Sequence, residues 1–475
     1  MSAGAAPAGP APASPGPAVL DGPGPATPSP ATRVAAAALA RLAALAAPTL
    51  APAIRGRVAA FDGLLIEAEG LSAPVGAICR VATGAGTRID AEVVGFRDGR
   101  LMLMSHAQVP ALLPGAAIEG TGLGALVPVG EALMGRVIDA TGRPLDDGPP
   151  VRGGPLGLLS GAPIEPLARG AVSQPLWTGV RAIDVLTTIG RGQRIGLIAG
   201  AGVGKSTLLG MIARQAAADA LVVALVGERG REVADFVART LPPERRHQAV
   251  VVAAAADQPA VLRIRAALRA CAIAEAWRAR GRHVLLLVDS LTRIAHAQRE
   301  LGLALGEPAS ARGYPPSALA LIARLAERAG ACSRSGGSVT GILTILADGD
   351  DPADPVVDAA RAILDGHILL DRALAERGVF PAIDPARSLS RCMADLTDPV
   401  HQAAARRVRR LHAILESNRD LIAMGAWKRG GDPELDAAVD ARPAIEALLR
   451  QAPDAAEPGP VAVAAFVAAF AEPSP

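Results

Sequence analysis

The stretch that decides the fold is Arg194-Ile195-Gly196-Leu197-Ile198-Ala199, running into Gly200-Ala201-Gly202-Val203-Gly204-Lys205-Ser206-Thr207. Its first part is apolar without alternation, which predicts a strand buried on both faces. The glycines that follow free backbone N–H groups to curl around an anion. Residues 206–217 then predict a helix whose positive end meets that anion. Strand, glycine loop, Lys-Ser and helix in this order form a phosphate-binding loop, with Ala199 where the strict pattern has glycine. Composition singles out the same place. Of 48 basic residues only Lys205 and Lys428 are lysine. A chain that uses arginine elsewhere keeps lysine where a compact point charge must thread between backbone and phosphates, a slot too narrow for a planar guanidinium. Gly200, Ala201, Gly202, Val203, Gly204, Lys205, Ser206 and Thr207 are therefore the candidate nucleotide-binding residues. Lys205 meets the terminal phosphates, and the Ser206 hydroxyl is a candidate ligand for Mg²⁺.

Outward from the loop the text alternates strand and helix. Buried strands are expected at 194–199, 220–226, 249–253, 283–288 and 339–346, with helices at 206–217 and 258–280. Such a series predicts a mostly parallel sheet covered on both faces, an α/β core. Two of its strands end in carboxylates. His283-Val284-Leu285-Leu286-Leu287-Val288-Asp289 places Asp289 where it suits holding Mg²⁺ through water beside the loop. Val226-Gly227-Glu228-Arg229-Gly230-Arg231-Glu232 offers Glu228 to orient and deprotonate an attacking water. Arg231 and Glu232 fit a solvated turn equally well.

The remaining segments differ in texture. Residues 1–32 are almost wholly Ala, Pro, Gly and Ser, a composition expected to stay disordered. Residues 33–53 contain an Ala/Leu helix, suited either to packing or to docking a partner. Short β-rich runs at 64–68, 77–81, 91–96 and 101–104, separated by turn signals, predict a small antiparallel barrel over 54–124. The ATPase-type core is placed at 125–392. A helical region at 393–451 follows, with helices at 401–415, 433–439 and 443–451, and Asp432 as a cap before Pro433. Residues 452–475 return to Ala/Pro composition and are expected to be loose.

Bulk properties exclude several classes. Half of the 475 residues are apolar but only 2% are aromatic, and the net charge is +2. Neither a basic surface nor a base-stacking platform is implied, so no nucleic-acid partner is expected. Cys79, Cys271, Cys332 and Cys392 are scattered, with no C-x-x-C pair, and are expected to be reduced thiols. The apolar runs at 34–50 and 461–470 are interrupted or too short for a membrane span, and no basic residue precedes Arg33. A cytoplasmic protein is expected.

Further motifs assemble into a resemblance. Pro381-Ala382-Ile383-Asp384-Pro385-Ala386-Arg387-Ser388-Leu389-Ser390 resembles the signature of rotary ATPase α/β subunits and their secretion relatives. Gly227-Glu228-Arg229 and Thr178-Gly179-Val180-Arg181-Ala182-Ile183-Asp184 belong to the same set. The stretches 297–308 and 312–317 look like those of type III export ATPases. Asp289-Ser290-Leu291-Thr292-Arg293, Asn418-Arg419-Asp420-Leu421 and Gly425-Ala426-Trp427 look more like the flagellar branch than the virulence branch. The resemblance covers about residues 55–450. It implies a RecA-like P-loop ATPase core between an N-terminal small β-barrel and a C-terminal helical domain, acting as a homohexamer with ATP at subunit interfaces. On matching positions it implies that Glu228 activates water, that Arg391 is an arginine finger reaching the neighbour's γ-phosphate, and that Phe380 packs on adenine. Ala318-Leu319-Ala320, Ile322-Ala323 and Gly341-Ile342-Leu343-Thr344 stand where the family carries bulkier or aromatic residues, a departure expected to touch packing rather than chemistry.

The function so implied is ATP hydrolysis that energises protein export through a flagellar-type type III secretion apparatus. Expected partners are a stator-like regulatory subunit at the N-terminal helix, a coiled-coil stalk protein, export-gate membrane proteins and chaperone–substrate complexes, at the cytoplasmic face of the inner membrane. Alternatives are a virulence-type secretion ATPase, a catalytic subunit of a rotary ATPase, an RNA-translocating hexameric helicase, and a non-catalytic nucleotide-binding subunit. Glu228 speaks against the last, where a glutamine would be expected.

Overall fold

The computed structural model describes residues 55–471, except 85, 110, 123, 152, 162 and 348–353. The expected disordered stretch 1–32 and the docking helix within 33–53 lie outside the described residues.

Six strands close an antiparallel barrel in the spatial order Arg55–Phe61, Leu65–Glu69, Arg100–Ser105, Arg88–Arg97, Ile78–Ala82 and Ala117–Gly120. Four of the six correspond to the runs read from sequence. The two that close the barrel do not: Arg55–Phe61 buries only Val58 fully, and Ala117–Gly120 is four residues long, so neither carries a clear alternation. Val58, Ile66, Val81, Val93, Leu103 and Ile118 fill the interior. Arg265, on the helix Ala260–Arg278, fastens the barrel to the core by donating to Glu92 Oε2 at 3.0 Å and to the Gly124 carbonyl at 2.9 Å.

The core sheet runs Leu389–Ser390, Gly366–Leu369, Arg194–Ala199, Ser338–Leu346, His283–Asp289, Ala220–Glu228, Ala249–Ala255, Val137–Asp139. Every neighbouring pair along this path is parallel except the first, Leu389–Ser390 with Gly366–Leu369. The central strands are buried almost throughout, as continuous apolar runs require; all nine residues of Ala220–Glu228 are buried. The helices Ala260–Arg278, Leu291–Ala304 and Pro316–Arg328 pack into the same core as one face of the sheet, and Lys205–Gln215 into the core on the other. Aliphatic residues supply most of both, consistent with the 2% aromatic content.

Beyond Ser390 the regular elements among the described residues are all helices, with Pro399–Ser417 and Pro433–Leu449 packed together. Two expectations are corrected here. The helices expected at 433–439 and 443–451 are one, with Pro443 in its interior. Pro443 removes one backbone bond without ending the helix, because Leu435, Ala438, Ile445 and Leu448 hold a continuous buried face on both sides of it. Asp432 does cap it, accepting from the Glu434 and Leu435 N–H groups. The tail expected to be loose contains the helix Gly459–Phe470. Ala462, Phe466 and Phe470 share a stripe at helical spacing, and all three are buried in the same core as Pro399–Ser417. The Phe466 ring meets His401 edge-on with centroids 5.7 Å apart.

Candidate active site

Parallel strands deliver their C-terminal ends to one edge of a sheet, where loops are free to form a site. Here Ala199 pairs with Leu346, and Leu225 with Asp289. Gly200, Glu228 and Asp289, each at or just after a strand end, therefore emerge together.

The loop is built by glycines in the left-handed region: Gly202 has φ +79° and Gly204 φ +94°. Gly204 is also the residue that caps the helix Lys205–Gln215. A side chain there would be strained and would come 3.6 Å from the Phe380 ring. Val203 is buried and anchors the loop in the core, whereas Ser206 and Thr207 are exposed.

Lys205 Nζ lies between two carboxylates. It forms an ion pair with Asp289 Oδ1 and stands 3.4 Å from Glu228 Oε1. The Thr344 hydroxyl, from the adjacent strand, donates to the same Asp289 oxygen at 2.7 Å. Burial holds the Glu228 carboxyl above the ordinary glutamate pKa; a hydrogen bond with Glu232 and the charge of Glu232 add to this, while Lys205 and Arg293 pull the other way. A cavity of about 370 Å³ opens here, lined by Ser206, Thr207, Glu228, Asp289, Phe236 and Pro453. Its oxygen donors are hard and few. Among the described residues no cluster of three or more His, Cys, Asp or Glu could hold a metal by itself. That donor set fits Mg²⁺, which takes one or two protein oxygens and completes its shell from phosphates and water.

Phe380 is 45% exposed and presents its ring beside Gly204, so it joins the cluster. Arg391 does not. Its neighbour Ser390 pairs with Gly366 in the antiparallel edge strand, and its N–H donates to the Asp365 carbonyl. Asp365 also binds Arg194, the first residue of the strand whose far end carries the loop. Six strand residues span about 17 Å, so exposed Arg391 sits near the opposite edge from its own Lys205.

Two residues near the chemistry were not singled out from sequence. Thr344 belonged to a stretch expected to affect packing only, yet it fixes an oxygen of Asp289. The signal is a lone hydroxyl in the apolar run Gly341-Ile342-Leu343-Thr344-Ile345-Leu346. Arg293 lies against Gly227, where an added Cβ would come 2.8 Å from its own, and its charge reaches Glu228. Its place in Asp289-Ser290-Leu291-Thr292-Arg293, one helical turn beyond Asp289, is the signal. Lys428 is exposed in a turn after the helix Arg419–Ala423.

Comparison with known proteins places this geometry. Residues 179–390 match the nucleotide-binding domain of the ATP synthase alpha/beta family, and residues 397–465 match the C-terminal domain of the type III secretion ATPase EscN. A flagellum-specific ATP synthase of Salmonella typhimurium is 49% identical over 85% of this chain and 91% of its own length. The chain belongs to the family of flagellar and type III secretion ATPases. As a member of that family it is an ATP-hydrolysing enzyme with an F1-type α/β ATPase fold. A type 3 secretion system ATPase of Pseudomonas syringae pv. tomato is 43% identical over 86% of the chain and 91% of its own length. The assembled EscN ATPase of enteropathogenic E. coli superposes with a TM-score of 0.82 at 39% identity, covering 88% of this chain and all of that one. The match through residue 465 takes in part of the final helix, so that helix belongs to the family's C-terminal domain. Among the described residues no helix is long and apolar enough to cross a membrane.

Proposed function

We propose that this export ATPase hydrolyses ATP in sites completed by two neighbouring subunits of a homohexamer, and that the energy drives protein export through a flagellar-type apparatus. The placement of Arg391 carries the reading. Lys205, Ser206, Glu228, Asp289 and Phe380 gather at one edge of the sheet, while Arg391, the arginine that the resemblance gives as the finger, lies toward the other. A site lacking its finger is completed by the next copy.

Within one site the roles follow from position. Loop amides and Lys205 bind the β- and γ-phosphates, and Phe380 packs on the base. Ser206 and Asp289 would hold Mg²⁺, which supplies charge neutralisation on the phosphates when bound. Glu228, buried and held above its ordinary pKa, orients a water and takes its proton. Arg391 of the neighbouring subunit stabilises charge developing on the γ-phosphate.

The flagellar branch is favoured by relatives: five flagellum-specific ATP synthases stand at 44–49% identity, against 43% for the type 3 secretion ATPases. EscN has been solved with its central stalk EscO, and a coiled-coil stalk is the corresponding partner expected here. A stator-like subunit at residues 33–53, export-gate membrane proteins and chaperone–substrate complexes complete the proposed set, with the enzyme held peripherally at the inner membrane.

Mixing subunits tests the interface. Lys205→Ala and Arg391→Ala proteins should each be inactive alone. Mixed and reassembled, they should regain activity, because some interfaces then pair an intact loop with an intact finger. Absence of recovery in hexamers shown to contain both subunits would refute catalysis in trans. Secretion of hook and filament proteins in a strain lacking this gene tests the export role; undiminished secretion would remove it.

A further inference from the structure

The Thr178–Asp184 motif has a structural purpose that the reaction does not use. Asp184 is buried and accepts from the Thr178 N–H at 2.8 Å, the Thr178 hydroxyl at 2.7 Å and the Gly179 N–H at 3.0 Å. This fixes a turn whose remaining groups, the Gly179 carbonyl and the Arg181 N–H, face the chain just after the helix Pro433–Leu449. Gln451 fills that position. Its Oε1 accepts from the Arg181 N–H at 2.8 Å, and its Nε2 donates to the Gly179 carbonyl at 2.7 Å and the Ala455 carbonyl at 2.8 Å. Its backbone N–H donates to the carbonyl of Phe380 at 2.9 Å. Gln451 is buried, and its side-chain amide is committed to this turn and to its own segment.

The segment so held borders the nucleotide cavity. Pro453 is one of its lining residues. Arg214, at the end of the loop helix, donates to the Pro453 carbonyl at 2.9 Å, and Gln215 donates to the Ala455 carbonyl at 3.0 Å. Arg181 adds a bond to the Arg450 carbonyl at 2.9 Å and lies 3.4 Å from Glu457. At its far end the segment packs Gly459 on the Trp177 ring, so closely that an added Cβ would stand 2.2 Å from ring carbons.

We propose that Gln451 is a positioning residue for the base end of the nucleotide site. It ties the C-terminal helices to Phe380 and to the Thr178–Asp184 turn, and thereby sets the distance between the Phe380 ring on one side and Pro453 on the other. The proposal rests on the ATPase reading and adds to it a residue that touches neither phosphate nor base. Because Gln451 acts only at the base end, its loss weakens nucleotide affinity and leaves chemistry at the γ-phosphate intact.

Steady-state hydrolysis by the assembled enzyme tests this with ATP as substrate and inorganic tripolyphosphate as a base-free competitor. Gln451→Ala should raise KM for ATP about tenfold while kcat stays within about threefold. The inhibition constant of tripolyphosphate should not move. Gln451→Glu keeps the acceptor for Arg181 but sets a carboxylate oxygen against the Gly179 and Ala455 carbonyls in place of the donor, so KM should rise at least as far. If Gln451→Ala does not fold, the Glu variant decides alone. An unchanged KM in a folded variant, a fall in kcat at constant KM, or equal weakening of tripolyphosphate would overturn the proposal. A wild-type protein without ATPase activity would instead strike the functional reading on which it rests.

Discussion

Replacing Glu228 by glutamine separates binding from chemistry. The substitution keeps the side chain's shape and removes its charge and basicity. A positioned general base contributes about 10²- to 10⁴-fold to rate, or about 3–5 kcal/mol in the barrier. Binding should move the other way. Glu228 Oε1 stands 3.4 Å from Lys205 Nζ. At an effective dielectric of about 20 that pair attracts by about 5 kcal/mol, and bound phosphates must compete with it for the lysine. Glu228 also repels the phosphates directly. With glutamine both penalties fall, so ATP should bind as tightly as in wild type or up to about tenfold more tightly, Asp289 still opposing part of the gain. Phosphate release at saturating ATP measures the first effect, and equilibrium titration with a fluorescent ATP analogue the second. A kcat within threefold of wild type would refute Glu228 as the base. Parallel loss of affinity and rate would show that its charge mainly holds Lys205 in place.

Three further outcomes follow. Lys205→Arg should lower kcat/KM by at least about a hundredfold, because a guanidinium does not fit a slot shaped for an ammonium; near-wild-type kinetics would remove the argument from lysine scarcity. Glu232→Gln should move the acid limb of the kcat–pH profile to lower pH. Glu232 raises the Glu228 pKa by hydrogen bond and by charge, and Glu228 must be ionised to accept a proton, so easing its ionisation extends activity downward; an unmoved limb would separate the two residues. Phe466→Ala should cost about 3–5 kcal/mol of stability, since the ring is buried between His401 and Phe470; thermal melts within a degree of wild type would mean that the final helix contributes little.

What could be read from sequence was whatever depends on neighbours along the chain. The loop at 199–206 needs a strand before it, glycines within it and a helix after it, and all three are contiguous. The central strands are continuous apolar runs, so their burial was legible without knowing what covers them. Thr344 was passed over because its role depends on lying beside Asp289 across two parallel strands, a register that local pattern does not encode. The final helix was hidden by composition. Its Ala, Val and Pro residues resemble a loose tail, and only the spacing of Ala462, Phe466 and Phe470 marks a buried stripe. The turn at 178–184 was recognised as a motif, but its partner Gln451 lies some 270 residues away.

The separation of Arg391 from Lys205 bears on the form of the assembly. Parallel strands put the loop, Glu228 and Asp289 at one edge. The strand Leu389–Ser390 runs against its neighbour, so the chain leaving it is returned toward the other edge, where Arg391 lies. Two copies related by a two-fold axis would present the same patch to each other. A patch confined to one edge would then set loop against loop or Arg391 against Arg391, leaving charged groups unmatched. A head-to-tail contact instead pairs the loop of one copy with Arg391 of the next. Such a contact leaves a free loop at one end and a free finger at the other, and repeats until the ring closes. If catalysis needs both edges, an isolated monomer should turn over slowly and activity should rise with protein concentration as rings form. A specific activity independent of concentration across the monomer–ring transition would mean that one chain supplies every catalytic group itself.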